Sequence, residues 1–350
     1  MNFKIFAGKK ILVTGHTGFK GSWLLSILRE LDCEIFGYSL PPEENSLSQL
    51  LIPLEKDHEV LGDIRNLDLV HSSLKSFAPD VIFHLAAQPL VSESYKDPLS
   101  TFSTNVMGTA NLLEAGLDIP NLQAFIAITT DKVYKNLEKG LAFSESDPLG
   151  GEDPYSASKS ATEMAVTAWR YFYGLENKQL ISVRAGNVIG AGDRARNRLL
   201  PDLILKARDN QSIEIRNPES TRPWQHVLEP LFGYMIVAEQ ILLGRKLSES
   251  FNFGPQLDSH LTVGKVADLV CSELNFSAGW KYVPDGLGIP ESRLLHLNSD
   301  RALKELKWQS HLSASEAIRW TLEAEALLQL HSASSVIQNQ IRNYRDTYFC

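Results

Sequence analysis

Six short apolar runs, residues 10–14, 34–39, 81–85, 124–129, 180–185 and 250–254, are separated by longer stretches with a helical pattern. A strand that is apolar on both sides has no face to show to water. A strand–helix rhythm meets that demand by laying parallel strands side by side and covering both faces with helices. The chain is therefore predicted to be α/β, with a doubly wound parallel sheet. The rhythm breaks in the Pro- and Arg-rich stretch 192–224, which is expected to cap the sheet. Residues 261–308 mix short helices and turns, with Pro284, Gly286, Gly288 and Pro290 marking an irregular loop. Residues 314–350 are mostly helical in pattern.

Gly15-His16-Thr17-Gly18-Phe19-Lys20-Gly21 follows directly on the first run. In this GxxGxxG spacing the first glycine permits a tight strand-to-helix turn and the second lets the backbone approach a pyrophosphate. The third allows helix and sheet to pack closely. Taken alone, three glycines can be no more than a tight turn. At the end of a first strand they point to a dinucleotide and make the sheet Rossmann-type. The second run ends at Tyr38-Ser39, where a ribose-binding carboxylate is expected and absent. No arginine follows to receive a 2′-phosphate, so NAD is the expected cofactor. Lys20 and His16 lie where a cation reaches the pyrophosphate and offsets the missing carboxylate; the alternative for Lys20 is a solvated side chain. Asp63-Ile64 is placed to accept from the adenine amino group, or else to cap a turn or helix. Leu85-Ala86-Ala87 lets the chain pass close to the cofactor.

Tyr155 and Lys159 are four residues apart, so on a helix expected over 155–173 they share one face. A phenol is a poor base at neutral pH, but a nearby lysine cation and a positively charged nicotinamide favour the phenolate. Such pairs are also common on surfaces. Here the run 124–129 ends in Thr129-Thr130-Asp131-Lys132, at the sheet edge where folds of this type gather ligands, and Thr130 can donate to a substrate oxygen.

A formal charge of −8 argues against a nucleic-acid surface. No apolar run approaches the roughly 20 residues of a membrane span. Cys33, Cys271 and Cys350 show neither CxxC spacing nor an even count, so neither a disulfide scaffold nor a metal site is expected. The expected setting is cytoplasmic.

These motifs together resemble the extended short-chain dehydrogenase/reductase family: Thr14 through Gly21, Asp63, Leu85-Ala86-Ala87, Thr130 and the Tyr155/Lys159 pair. The resemblance spans roughly residues 10–308. Within it, the nucleotide-sugar 4,6-dehydratases carry an acid and a second ionisable group directly after the active-site threonine, here Asp131 and Lys132. Members acting on dTDP-glucose and GDP-mannose have glutamate at the second place, whereas those acting on CDP-glucose are similar to this chain in having lysine. His84 through Val91, Arg184 through Gly190, Arg216-Asn217-Pro218 and Arg222 through Pro230 extend that likeness. So does the missing carboxylate near Ser39.

The resemblance implies an NAD-dependent hydro-lyase whose nucleotide-sugar substrate, with CDP-glucose favoured, is oxidised at carbon 4, dehydrated across carbons 5 and 6, and reduced at carbon 6. Thr130, Asp131, Lys132, Tyr155 and Lys159 would be catalytic. The cofactor would contact the glycine loop, Ser39, Asp63, Ile64 and Leu85-Ala86-Ala87, together with Tyr155 and Lys159. Gln88, Asn187, Arg194, Arg222 and Arg293 would hold the substrate, the arginines through its diphosphate or as structural ion pairs. Asp131 must be protonated to expel the 6-hydroxyl, which Lys132 opposes; either burial wins, or the two titrate as one unit in which a neutral Lys132 takes the carbon 5 proton. A dehydratase of another nucleotide hexose, or an epimerase, would use the same loop and pair, although an epimerase has little need for Asp131 and Lys132. The expected domains are 1–190 with 225–258 returning to it, a substrate domain from 191–224 and 259–330, and a tail over 331–350. The apolar helices near 99–116 and 155–173 are expected to build a four-helix homodimer interface.

Overall fold

A computed structural model describes residues 3–136, 142–195, 198–256, 261–283 and 295–349. Seven strands form one sheet: β1 (Lys10–Thr14), β2 (Glu34–Ser39), β3 (Glu59–Leu61), β4 (Val81–His84), β5 (Ala124–Ile128), β6 (Gln179–Ala185) and β7 (Ser250–Phe253). Their order is β7-β6-β5-β4-β1-β2-β3, and every neighbouring pair is parallel. The chain thus runs outward from β1 on one side, then crosses back to β4 on the other. The crevice at the carboxyl ends of β1 and β4 is the switch point where such sheets bind ligands. Six strands lie on the runs expected from the sequence. The seventh, β3, has only three residues, half-buried or exposed at the sheet edge, too few to register as an apolar run.

Alternation along β1 sends Ile11 and Val13 to one face and Leu12 to the other. The Ile11 face packs on α1 (Phe19–Leu28) and the almost wholly buried α5 (Leu228–Leu242). The Leu12 face packs on α2 (Leu67–Phe77), α3 (Gly108–Leu117) and α4 (Pro154–Leu175). A separate apolar cluster joins Leu203 and Trp224 to Val266 and Ile318 of α6 (Ala314–Leu327), bringing segments on either side of β7 into one smaller core. The last helix, α7 (Ala333–Tyr348), is no loose tail. Val336, Ile337, Ile341 and Tyr344 enter the main core, each such burial contributing about 1.5–3 kcal/mol. Tyr344 Oη also donates to Glu229 Oε2 at 2.7 Å.

Candidate active site

The glycine loop has the shape its spacing demands. Gly15 adopts φ +70°, and a Cβ there would lie 2.7 Å from Ala86 N. One on Gly21 would lie 2.1 Å from Gly15 O. Gly18 precedes α1 and contributes no side-chain cap, so the first-turn amides are left for an anion. Leu85 N donates to Thr14 O (3.1 Å) and Ala86 N to Thr14 Oγ1 (3.2 Å), which seats Leu85-Ala86-Ala87 against the loop. At the end of β2, Thr17 Oγ1 and Ser39 Oγ are 2.6 Å apart, two hydroxyls where a carboxylate was sought. This cradle, closed to any side chain, fits a dinucleotide.

His16 is taken up by the neighbouring strands β2 and β3. Its buried ring packs on Gly37 and pairs with Glu59 Oε1 at 2.6 Å, and burial lowers its pKa against the pull of Glu59. Lys20, half-buried, is brought down to about 8 by burial and by Arg198, with Asp131 opposing and Lys159 adding to the fall. Its charge therefore reaches Asp131 and Lys159. Asp63 receives a two-pronged contact from Arg65 (2.6–3.0 Å) and its backbone N–H (2.9 Å), a turn that holds the carboxyl below its usual range. Ile64 is buried, and Asn111 Nδ2 donates to its carbonyl at 3.1 Å.

Asp153 caps α4 by accepting from Ser156 N at 2.9 Å, and Pro154 takes the first helical position. Tyr155 and Lys159 then lie one turn apart, 8% and 6% exposed. Burial pushes the Tyr155 phenol up to about 12, opposed by its hydrogen bond with Thr130 and reinforced by Asp131. Burial brings Lys159 down to about 8 against the pull of Glu163. Beyond β5, Thr130 Oγ1 donates to Asp131 Oδ1 at 2.9 Å. Asp131 is 2% exposed, and its Oδ2 has no hydrogen-bond partner among the described residues. Burial raises its pKa although Lys132, Thr130, Arg222 and Lys20 all act to lower it. Burial thus acts toward the protonated carboxyl that both routes posed by the sequence require. Lys132 is half-buried in the same turn.

The proposed substrate contacts separate. Arg222 is buried and its charge acts on Asp131, while half-buried Asn187 accepts from Gln225 N through its carbonyl at 3.1 Å. Arg194 is drawn elsewhere: both its terminal nitrogens bind buried Glu325 (2.5 and 3.1 Å), which also takes Arg208 (2.9 Å) and Gly192 N (2.7 Å). That cluster answers the need of a buried carboxylate. The amide of Gln88 is folded onto Leu90 and Thr101, which makes it a loop brace. Arg293 lies outside the described residues. Arg198 was missed; it is held by Asp193 at 2.9 Å, and its charge bears on both Tyr155 and Lys20. No motif marks it. Glu163 was missed as well, although its place four residues after Lys159 puts it on the same helix face.

A switch-point glycine cradle beside a buried Tyr/Lys pair defines a dinucleotide-dependent enzyme of the doubly wound class. Residues 11–254 match the NAD dependent epimerase/dehydratase family, and the chain belongs to that family. CDP-glucose 4,6-dehydratase of Salmonella typhimurium (strain LT2) is 42% identical over 320 residues, covering 89% of this chain and 89% of that protein. Among solved structures, dTDP-glucose 4,6-dehydratase from Bacillus anthracis in complex with NAD has a TM-score of 0.75 at 23% identity, covering 90% of this chain and 96% of that one. UDP-glucose 4-epimerase from Thermotoga maritima with UDP-glucose has a TM-score of 0.75 at 20% identity, covering 92% and 100%. At those identities the likeness to the solved structures is one of fold.

Proposed function

We propose that this chain is a nucleotide-sugar 4,6-dehydratase that converts CDP-glucose to CDP-4-dehydro-6-deoxyglucose and water. One observation carries the reading: Asp131 is a buried carboxyl beside Thr130 and Tyr155, its pKa raised by desolvation and one of its oxygens without a partner among the described residues. An epimerase has no leaving hydroxyl to protonate. The 42% identity to the CDP-glucose enzyme supports the same choice and the cytidine base.

The glycine loop with Thr17, Ser39 and the 85–87 turn would hold NAD, which when bound would supply a hydride acceptor at carbon 4 and a donor at carbon 6. Tyr155 takes the proton of the 4-hydroxyl, with Thr130 bonded to that hydroxyl and the Lys159 charge favouring the phenolate. The resulting ketone acidifies carbon 5. Lys132 removes that proton while Asp131 protonates the 6-hydroxyl, which leaves as water. Arg222, and Asn187 at the turn after β6, face the sugar diphosphate, and the smaller core around Leu203, Trp224, Val266 and Ile318 belongs to the substrate-holding part.

Exposed Leu99, Phe102 and Met107 on one helical stretch, and Met164, Tyr171 and Leu175 on α4, form apolar stripes suited to a four-helix homodimer. No helix among the described residues is long and apolar enough to cross a membrane, and free Cys33 and Cys271 accord with a cytoplasmic setting. The test is turnover of CDP-, dTDP-, UDP- and GDP-linked glucose or mannose, followed by the alkaline absorbance of a 4-keto product. Product from CDP-glucose is expected. Preference for dTDP-glucose would refute the base assignment, and product lacking water loss the dehydratase.

A further inference from the structure

Tyr155, Lys159 and Glu163 follow one another at single-turn intervals on α4, so one face carries a phenol, an ammonium and a carboxylate. Glu163 is 2% exposed and takes no part in the reaction described above. Its Oε1 accepts from Thr129 Oγ1 (2.6 Å) and Arg184 Nε (2.9 Å), and its Oε2 from Arg184 Nη2 (2.9 Å). Arg184, on β6, also donates through Nη1 to Tyr134 Oη (2.7 Å), which in turn donates to Asn252 Oδ1 on β7 (2.7 Å). Thr129 immediately precedes the Thr130-Asp131-Lys132 turn, and Tyr134 follows two residues after Lys132. The ion pair thus grips that turn at both ends and grips the Tyr155/Lys159 helix from the side.

Stability alone is a poor reason for such a pair, because well-packed apolar residues of similar volume commonly serve as well. The groups facing Lys159 sharpen the point. Among the described residues they include Glu163 on its own helix, with Arg184 of β6 bonded to it, Lys20 on α1 and His84 on β4. Burial keeps His84 neutral, at about 3, and Lys20 repels Lys159. Among these described groups, Glu163 is the one that favours the ammonium.

We infer that Glu163 and Arg184 are a positioning pair: Glu163 is the counter-charge for the Lys159 ammonium and, through Thr129 and Tyr134, registers the Thr130-Asp131-Lys132 turn against Tyr155. This rests on the Tyr155/Lys159 reading above. Arg184 in turn fixes the carboxylate so that its charge stays in place without the group turning onto the ammonium itself.

The test is the pH profile of kcat. Glu163→Gln is expected to lower kcat at pH 8 about tenfold with KM unchanged, and to move the alkaline limb acidward by about one pH unit, because Lys159 then loses its proton more easily. Glu163→Asp keeps the charge and should leave the limb in place while lowering kcat. Glu163→Gln leaves a buried arginine unpaired and can unfold the chain; the double variant Glu163→Gln/Arg184→Met leaves no unpaired charge and must show a smaller displacement in the same direction. A lowered melting temperature with the limb unmoved in the neutral variants overturns the inference. Tyr155→Phe run in parallel separates the two levels. Full turnover in that variant rejects the underlying reading, whereas its loss beside an unmoved limb rejects only the positioning role.

Discussion

A methyl group on Gly186 would lie 2.7 Å from Asp131 Oδ2, so the Asp131 carboxyl rests against the backbone of the turn that follows β6. Pro223 Cγ closes the same space at 2.6 Å. Gly186→Ala must therefore rotate the carboxyl or displace Pro223. The expected result is a kcat for CDP-glucose lowered about 10- to 100-fold with near-normal melting, since the steric change is confined to the site. Unchanged kcat would mean that the position of Asp131 Oδ2 is immaterial.

Lys132→Met is expected to spare oxidation at carbon 4 and stop elimination. The near-ultraviolet absorbance of reduced nicotinamide should then rise in stoichiometric amount on mixing with CDP-glucose, and no water-loss product should form. Normal dehydration by this variant would remove Lys132 from the proton transfers.

The oxidation step should weaken above about pH 8. Lys159, lowered to about 8, is charged below that value and neutral above it. Losing the cation raises the cost of ionising Tyr155, whose phenol already stands at about 12 without cofactor. A single-turnover rate that keeps climbing to pH 10 would contradict this order of events.

Tyr344→Phe removes the phenolic donor to buried Glu229 and should destabilise the protein by about 1–2 kcal/mol in urea titrations. Activity at low urea should be retained, because α7 packs on the core away from Asp131 and Tyr155.

Much of the site was legible because its signals are local. Six of the seven sheet strands fall on apolar runs, and Tyr155 and Lys159 share a helix face because four residues make about one turn. Other side chains were misplaced for a common reason. Arg194 was read as a phosphate ligand from its charge, but its partner Glu325 lies 131 residues away. His16 was read as a loop cation, yet it meets Glu59 across the sheet edge on β3, the strand with the weakest pattern. A residue's charge is visible in its own name, whereas the group that claims it is not.

The acid at the site marks the boundary. The sequence by itself determined the parallel sheet, the glycine cradle and the adjacency of Thr130, Asp131 and Lys132, since periodicity, missing side chains and neighbouring positions are properties of a few consecutive residues. Only the tertiary structure decided which way Asp131 titrates. Burial raises its pKa against the nearby cations, and the strength of that effect depends on how completely distant segments exclude water.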